Sequence, residues 1–322
     1  MNTKNSHFTL EITYGGLFFL LLLVTLGLYW SGLYSTFMLD DSPNLDNLEK
    51  ITDEALWSSM GQFIAGGGVS SARPLSLLTF ALQFYDWPHG PWAFKYVNLM
   101  IHLLNGCLVF WLSLLLARLL VLSTERGLIL ALLTTALWLL HPLQVSTVLY
   151  VVQRMTQLST LFTLVGLITY LKGRQLLAEN KLSKGFLTIS LGIGLSGIFA
   201  VSSKENGVLL LLYVLALEMT LLQMLPKPVH WKIWFTTFIY APIAAIILYF
   251  VVTFDKILQV YIIRDFTLGE RLLTESRVLT EYLAKMLLLH PYDFGLFHDD
   301  FVISRGLFDP STTIFAIILV VV

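Results

Sequence analysis

Two adjacent carboxylates, Asp40 and Asp41, directly follow the first long apolar run, within residues 37–44 (FMLDDSPN). Adjacent carboxylates repel each other, so the pKa of one of them can be raised. A carboxylate at the membrane surface could act as general base toward an acceptor hydroxyl, a role that contributes about 10²–10⁴-fold in rate. The same residues are good turn formers, and an Asx-turn or helix cap is the structural alternative. The pattern by itself favours the turn and does not choose between the two aspartates.

A second group of candidates consists of polar residues at the predicted ends of membrane helices. Ionisable residues at membrane depth are costly and point to function, and Arg and Lys bind phosphates well. The structural alternatives are snorkelling of the basic side chains to the interface and a local ion pair between Lys204 and Glu205. Arg73 could reach a phosphate or only anchor to lipid headgroups. The candidates are His141, Gln153, Arg154, Lys204, Glu205 and Asn206, together with Arg73.

Asn98, His102 and Asn105 form a polar stripe at i, i+4 and i+7 of an otherwise apolar run. Hydrogen bonds between membrane helices, worth about 0.6 kcal/mol each, explain such a stripe better than a functional site does, although His102 stays a site candidate. Support for a metal is weak. No zinc spacing is present, and a divalent cation at Asp299 and Asp300 is a weak option. No other cofactor is predicted, and nothing suggests nucleic-acid binding.

Membrane helices must position these residues. The chain is 56% hydrophobic and 13% charged, against about 25% charged in soluble domains. The uncharged residues are concentrated in long runs, and a helix needs about 20 apolar residues to cross the hydrocarbon layer. Backbone groups in lipid must pair internally, which predicts helices, and the alternation of a β-barrel is absent. The predicted spans are 14–34, 95–117, 127–146, 155–171, 185–203, 206–225 and 233–252, with the start of an eighth at 312.

The distribution of basic residues predicts the orientation. With the N-terminus in the cytoplasm, Lys172, Arg174, Lys181 and Lys184 fall in one cytoplasmic segment, as the positive-inside rule requires. The Asp40–Asp41 pair then lies on the opposite side. We therefore expect an integral, multi-pass protein of a bacterial inner membrane, with its active site on the periplasmic face.

Two long segments, 35–94 and 253–311, lie outside the cytoplasm in this topology. The first contains the apolar stretch 75–85, which is too short to span, and the second contains the amphipathic stretch 270–289. Both stretches are predicted to be interfacial helices. The last apolar run, 310–322, is too short to cross the bilayer, so the chain looks cut short of a further C-terminal region.

In their joint order, the short motifs of this sequence resemble those of GT-C superfamily membrane glycosyltransferases. The resemblance is to the branch of protein O-mannosyltransferase-like proteins and transmembrane proteins with tetratricopeptide repeats. It covers about 14–322 and implies an all-α, GT-C-like helical bundle. A single domain, 1–322, would carry two long outer loops with interfacial helices. The motifs are residues 37–44, Arg73-Pro74-Leu75, 98–106, 141–150, Gln153-Arg154-Met155, Lys204-Glu205-Asn206, 271–279 and 296–300.

The resemblance implies a polyprenyl-phosphate-linked sugar donor and an acceptor hydroxyl on a protein or a glycan. In such enzymes the first outer loop supplies the catalytic acid residue, which would be Asp40 or Asp41 here. Basic residues at helix ends bind the lipid phosphate, and Arg154, Lys204 and Arg73 correspond to them. The lipid bilayer is the remaining partner. The family's usual C-terminal region, often with further spans and repeats, is missing from this sequence.

The function predicted is therefore an inverting glycosyltransferase that acts outside the cytoplasm. One alternative is a transporter or flippase for a lipid-linked sugar, which needs charged groups along a pathway deep in the membrane. Another is a non-catalytic membrane scaffold in surface glycan assembly, which would tolerate loss of either aspartate. A ligase or polymerase of surface polysaccharide differs from the main prediction only in its acceptor.

Overall fold

The chain folds into helices joined by short turns. The computed structural model describes residues 3–66, 72–288 and 301–321. Within these ranges no strand is formed, and one isolated bridge pairs Gly306 with Asp309. The all-α class predicted from the uncharged runs is confirmed, while the GT-C-like arrangement of the helices stays a prediction.

The chain divides into two compact units, Met1–Ile239 and Tyr240–Val322. The first unit contains α1 (Thr3–Trp30), α2 (Asp41–Leu45), α3 (Leu56–Ala65), α4 (Pro74–Ala81), α5 (Trp92–Leu119), α6 (Thr124–Leu140), α7 (Gln144–Leu149), α8 (Arg154–Ala178), α9 (Leu182–Ser203), α10 (Leu209–Met219) and α11 (Trp231–Phe235). The second unit contains α12 (Ala241–Val252), α13 (Phe254–Val260), α14 (Leu268–Leu287) and α15 (Thr312–Val321). Short 3-10 turns precede α8 at Val151–Gln153 and α10 at Glu205–Val208.

Five helical segments are long and apolar enough to cross a membrane, which indicates a multi-pass membrane protein. Each of them contains one of the predicted spans. α15 is a shorter apolar helix at the position of the predicted eighth span. The five segments are Ile12–Tyr34, Trp92–Leu119, Val151–Ala178, Leu182–Ser203 and Trp231–Val252.

Two predicted spans, 127–146 and 206–225, are shorter helices than expected. α6 has 17 residues and ends at Leu140, because His141 precedes a proline and is extended, with φ −65° and ψ 130°. α10 has 11 residues and starts only after a 3-10 turn. Long apolar runs cover both places, with Glu218 as the one charged residue in the second, but charge alone does not reveal where the backbone leaves the helical conformation.

α8 continues beyond the predicted span 155–171, past Lys172 and Arg174. The Lys172 ammonium is exposed and lies 4.2 Å from the centre of the Trp111 ring. Arg174 Nε lies 2.6 Å from Glu218 Oε1 in a buried ion pair. Because its charge is neutralised inside the protein, Arg174 does not mark the end of the helix.

α4 corresponds to the apolar stretch 75–85, which was predicted to lie on the membrane surface. Leu77 and Phe80 are fully buried in a protein core that also contains Phe94 and Met155. The helix therefore packs against α5 and α8 instead of only contacting lipid. Its first turn is fastened to the end of α9, because Ser76 Oγ donates a 2.9 Å hydrogen bond to the Ser203 carbonyl.

The second unit is organised around α14, the helix predicted over 270–289. A capping box opens it, in which the Thr267 and Glu270 side chains each accept the other residue's backbone N–H. Its polar face holds the chain that follows: Arg277 Nη1 donates to the Val302 carbonyl at 2.7 Å. The opposite, apolar face is exposed, as the interfacial interpretation requires. That face contains Leu272, Leu279, Leu283 and Met286.

Candidate functional site

Asp41 connects the first loop to the turn before α8 through hydrogen bonds of its side chain. Its side chain is fully buried. One carboxylate oxygen accepts the Met38 backbone N–H at 2.9 Å, and the other accepts the Val152 N–H at 2.8 Å. Burial raises the pKa of Asp41, against the opposing effect of the backbone hydrogen bonds and of the Lys95 charge. Each oxygen already accepts a backbone N–H, and the side chain is fully buried, so Asp41 is not accessible to a substrate.

Asp40 has the opposite environment and is exposed. Its backbone N–H donates to the Tyr150 hydroxyl at 2.7 Å. Burial raises the pKa of Tyr150 to about 12, and a side-chain hydrogen bond with Asp40 adds to the rise. Tyr150 therefore stays protonated and can orient the Asp40 carboxylate. Of the two adjacent aspartates, Asp40 is the one whose side chain is accessible.

The backbone before Asp40 is strained. Leu39 has φ +38°, in the left-handed region that a side chain such as leucine rarely adopts. Such strain persists only where the surroundings impose it, and it is concentrated at functional sites. Here the hydrogen bonds of Asp41 and Tyr150 impose it.

Lys95 is a site residue that the sequence did not reveal. Its ammonium is buried and donates to the Ser35 carbonyl, the Ser35 hydroxyl and the Thr36 carbonyl at 3.0, 2.6 and 2.8 Å. These three bonds fix the chain that leads into the Asp40–Asp41 turn. The sequence shows only a lone lysine in the first turn of an apolar helix. A lysine at that position also occurs where the side chain extends to the membrane interface, so the pattern did not identify a buried residue.

Arg73, Lys204 and Glu205 form a charged cluster at the end of α9. Arg73 Nε lies 2.9 and 3.0 Å from the two Glu205 carboxylate oxygens. Lys204 Nζ donates to Thr156 Oγ1 at 2.7 Å. Thr156 in turn donates to the Gln153 side-chain carbonyl at 2.7 Å. The ion pair of Glu205 is thus with the distant Arg73, and not with Lys204, the local pair that the sequence offered as an alternative.

The cluster has two cations and one carboxylate. Burial lowers the pKa of Lys204, and the Arg73 charge lowers it further. Burial alone would raise the pKa of Glu205, but the Arg73 hydrogen bond and the two positive charges outweigh it, so the pKa is lowered. A half-buried excess of positive charge is the electrostatic requirement of an anion-binding site.

Residues 150–156 connect the Asp40–Asp41 turn to this cluster. The turn is anchored at Tyr150 and Val152. The cluster is anchored at Met155, whose sulfur lies 3.4 Å from Arg73 Nη1, and at Thr156. Residues 152–156 pass from a 3-10 turn into the first turn of α8, a rise of about 6–8 Å, so the two anchor points at 152 and 156 are close. The structure thus ties Asp40, Arg73 and Lys204 to one short segment.

Arg154 does not belong to the exposed site, contrary to its predicted role in phosphate binding. It is fully buried. Nε donates to Asn98 Oδ1 at 2.8 Å, Nη1 to the Thr79 carbonyl at 3.1 Å and Nη2 to the Phe94 carbonyl at 2.9 Å. Its guanidinium also lies 4.5 Å from the centre of the Phe80 ring. Arg154 therefore joins α4, α5 and α8, and no face of it is open to a lipid phosphate.

The polar stripe on α5 makes interhelical hydrogen bonds, as predicted. Asn98 Nδ2 donates to the Val151 carbonyl at 3.1 Å, and Asn105 Nδ2 to the Gln157 carbonyl at 3.0 Å. His102 Nε2 lies 3.0 Å from the Leu139 carbonyl of α6. His102 is therefore a packing residue and not part of the exposed site.

The two remaining candidates lie at other positions. His141 follows the last residue of α6, and its Nδ1 accepts the Leu143 N–H at 3.2 Å. Asn206 lines a groove of about 260 Å³ between α8 and α10. The groove lies beside the charged cluster, since Thr160 of its wall is one turn from Thr156. Its lining consists of Ser159, Thr160, Thr163, Leu164, Leu167, Asn206, Leu209 and Tyr213.

The weak metal candidates, Asp299 and Asp300, lie outside the described residues. Elsewhere in the described chain, no three His, Cys, Asp or Glu side chains are grouped closely enough to hold a metal ion. The charged cluster offers two cations and a single carboxylate, which is a donor set for an anion and not for a divalent cation.

Comparison with known proteins gives no assignment: no family model, no curated protein and no solved structure matches this chain. The resemblance to GT-C enzymes stays a prediction from short motifs. The functional conclusion depends on the geometry of the site itself.

Proposed function

We propose that this membrane protein is a glycosyltransferase. It would move a sugar from a polyprenyl-phosphate-linked donor to an acceptor hydroxyl of a protein or a glycan, on the non-cytoplasmic side of the membrane. The observation that carries the proposal is the tethering of an exposed carboxylate, Asp40, and two cations, Arg73 and Lys204, to the same segment, 150–156.

The two kinds of group fit the two ends of the reaction. Asp40 removes the proton from the acceptor hydroxyl, whose oxygen attacks the anomeric carbon of the sugar. The bond from that carbon to the phosphate oxygen breaks with inversion of configuration, and polyprenyl phosphate leaves. Lys204 and Arg73 stabilise the negative charge that develops on the leaving oxygen. Asp41 holds the Asp40 turn in place through its bonds to the backbone.

The test is complementation of cells that lack the gene with the complete gene carrying Asp40→Asn. Asn keeps the turn chemistry but cannot accept a proton at neutral pH. Asp46→Asn, an exposed aspartate in the same loop, is the matched control. With membrane levels equalised by immunoblot, Asp40→Asn should abolish the glycan that the wild type restores. Full restoration by Asp40→Asn at normal abundance would refute the base assignment.

A second candidate function, transport of a lipid-linked sugar, has one observation in its favour. Polar side chains recur along one face of α8, at Thr156, Thr160, Thr163, Tyr170 and Arg174. From first to last they cover about 27 Å at 1.5 Å per residue, which is close to the thickness of the hydrocarbon layer. The stripe ends at the buried Arg174–Glu218 ion pair, and ionisable side chains that face the interior of a helix bundle are typical of transport pathways.

Proteoliposomes separate the two functions. A transporter moves a fluorescent polyprenyl-phosphate sugar between leaflets, tolerates Asp40→Asn and is impaired by Thr163→Val. A glycosyltransferase consumes the donor only when an acceptor is present and depends on Asp40. Leaflet exchange by the Asp40→Asn variant at the wild-type rate would favour transport.

A further inference from the structure

Glu205 occupies the position on Arg73 where an anionic ligand would bind. Arg73 Nε is within hydrogen-bond distance of both carboxylate oxygens, at 2.9 and 3.0 Å. Carboxylate and phosphate oxygens compete for the same guanidinium geometry. The Glu205 side chain is 56% exposed and that of Arg73 is 21% exposed, so the pair lies where a ligand from the membrane surface can reach it.

The cluster is left incompletely neutralised by this internal pair. Lys204 Nζ donates to the neutral Thr156 hydroxyl, and the Glu205 carboxylate forms its ion pair with Arg73. The cluster therefore contains two positive charges, on Arg73 and Lys204, and one negative charge, on Glu205. A phosphate carries enough charge and oxygens to contact both cations at once, which the single carboxylate does not do.

We propose that Glu205 is a latch that closes the anion site and is displaced by the phosphate group of a lipid-linked ligand. This inference rests on the proposed function, since it concerns the same two cations. With the latch closed, Arg73 is held beside α9 by Glu205. With phosphate bound, Arg73 and Lys204 both contact the ligand, and the Glu205 side chain turns to solvent.

The latch opens by rotation of a side chain, since the backbone beside it is tightly packed. Gly207 lies so close to α9 that an added Cβ would stand 2.3 Å from the Ala200 carbonyl carbon. The 3-10 turn that carries Glu205 is therefore packed directly against α9. An exposed carboxylate that forms a single ion pair competes only modestly with a ligand. Removal of its charge should therefore strengthen binding about two- to fivefold, the range expected for one exposed ion pair.

The experiment is equilibrium binding of polyprenyl monophosphate to the purified full-length protein in detergent, followed by microscale thermophoresis. Polyprenol, which lacks the phosphate, measures binding through the lipid chain alone. Glu205→Gln should tighten phosphate binding about two- to fivefold and leave polyprenol binding unchanged. Arg73→Met should weaken phosphate binding. Glu49→Gln, an exposed carboxylate of the first loop, is the matched control and should change neither.

The outcomes separate the latch from the site that it closes. Unchanged or weaker phosphate binding by Glu205→Gln, with Arg73→Met still weakening it, would overturn the latch and leave the phosphate site standing. Equal affinity of the wild type for polyprenyl monophosphate and polyprenol would overturn both the latch and the phosphate-binding part of the proposed function. Sugar transfer is not measured, so loss of catalysis cannot imitate either result.

Discussion

Replacement of Asp41 by Ala is expected to destabilise the folded protein far more than replacement of Asp40. The Asp41 carboxylate is fully buried and accepts two backbone N–H bonds, from Met38 at 2.9 Å and from Val152 at 2.8 Å. Asp41→Ala leaves the Met38 and Val152 N–H groups without their acceptor, and an unpaired buried donor costs about 1–3 kcal/mol. The substitution should therefore cost about 2–6 kcal/mol of unfolding free energy. Asp40→Ala should cost less than about 1 kcal/mol, because the side chain is exposed.

Thermal unfolding of the purified protein in detergent, followed by tryptophan fluorescence, measures this difference. At roughly 2–4 °C per kcal/mol, Asp41→Ala should lower the melting temperature by about 4 °C or more. Asp41→Asn keeps one acceptor oxygen and should fall between the wild type and the alanine variant. Asp46→Ala controls for loss of a carboxylate in the same loop. A melting temperature of Asp41→Ala within about 2 °C of the wild type would refute the structural role of Asp41.

The same residue predicts a pH dependence. Burial raises the pKa of Asp41 above its ordinary value of 3.8, so the folded state holds the proton more tightly than the unfolded state. Its contribution to stability is then fully present below pH 3.8 and declines as the pH rises through the raised pKa. Asp41→Asn should remove this decline from the melting curves. A decline of equal size in that variant would assign it to another group.

Three further predictions concern the other charged groups. Burial and the Arg73 charge lower the pKa of Lys204. Affinity for polyprenyl monophosphate should therefore fall with rising pH below 10.5, the pKa of an ordinary lysine. Lys204→Arg should shift that fall to higher pH. Glu218→Gln leaves Arg174 buried without its partner and should cost about 3–5 kcal/mol in thermal unfolding, whereas Glu179→Gln in an exposed pair should cost less than about 1 kcal/mol. Arg154→Lys cannot supply the three-way donor geometry and should lower the melting temperature; an unchanged value would contradict its joining role.

The fold class could be predicted because lipid forces long uncharged runs into helices, and each of the five long apolar helices contains a predicted span. The helix ends were harder to predict. Charge was taken as the limit of a span, but Arg174 is neutralised by Glu218 inside the protein, so α8 extends past it. α6 ends at a proline instead, where the preceding residue cannot stay helical.

The candidate site could be predicted only as a set of residue types at helix ends. Sequence spacing placed Asp40, Arg154 and Lys204 at the same end of the bundle, but it carries no information on which side chains face inward. The structure divides them: Arg154 points into the core and Lys204 is part of the charged cluster. The pairing of Arg73 with Glu205 connects residues 132 positions apart. A contact between residues so far apart in the chain cannot be predicted from a local sequence motif.

The most direct test of the central claim is sugar transfer by Asp40→Asn and Asp41→Asn compared at equal amounts of folded protein. Each variant of the complete gene is expressed in cells lacking it, and the restored glycan, quantified by mass spectrometry, is divided by the membrane abundance of the variant. The account predicts no transfer by Asp40→Asn despite normal folding. Asp41→Asn, in contrast, should lose abundance and keep transfer per folded molecule. Full transfer by Asp40→Asn at normal abundance would contradict it.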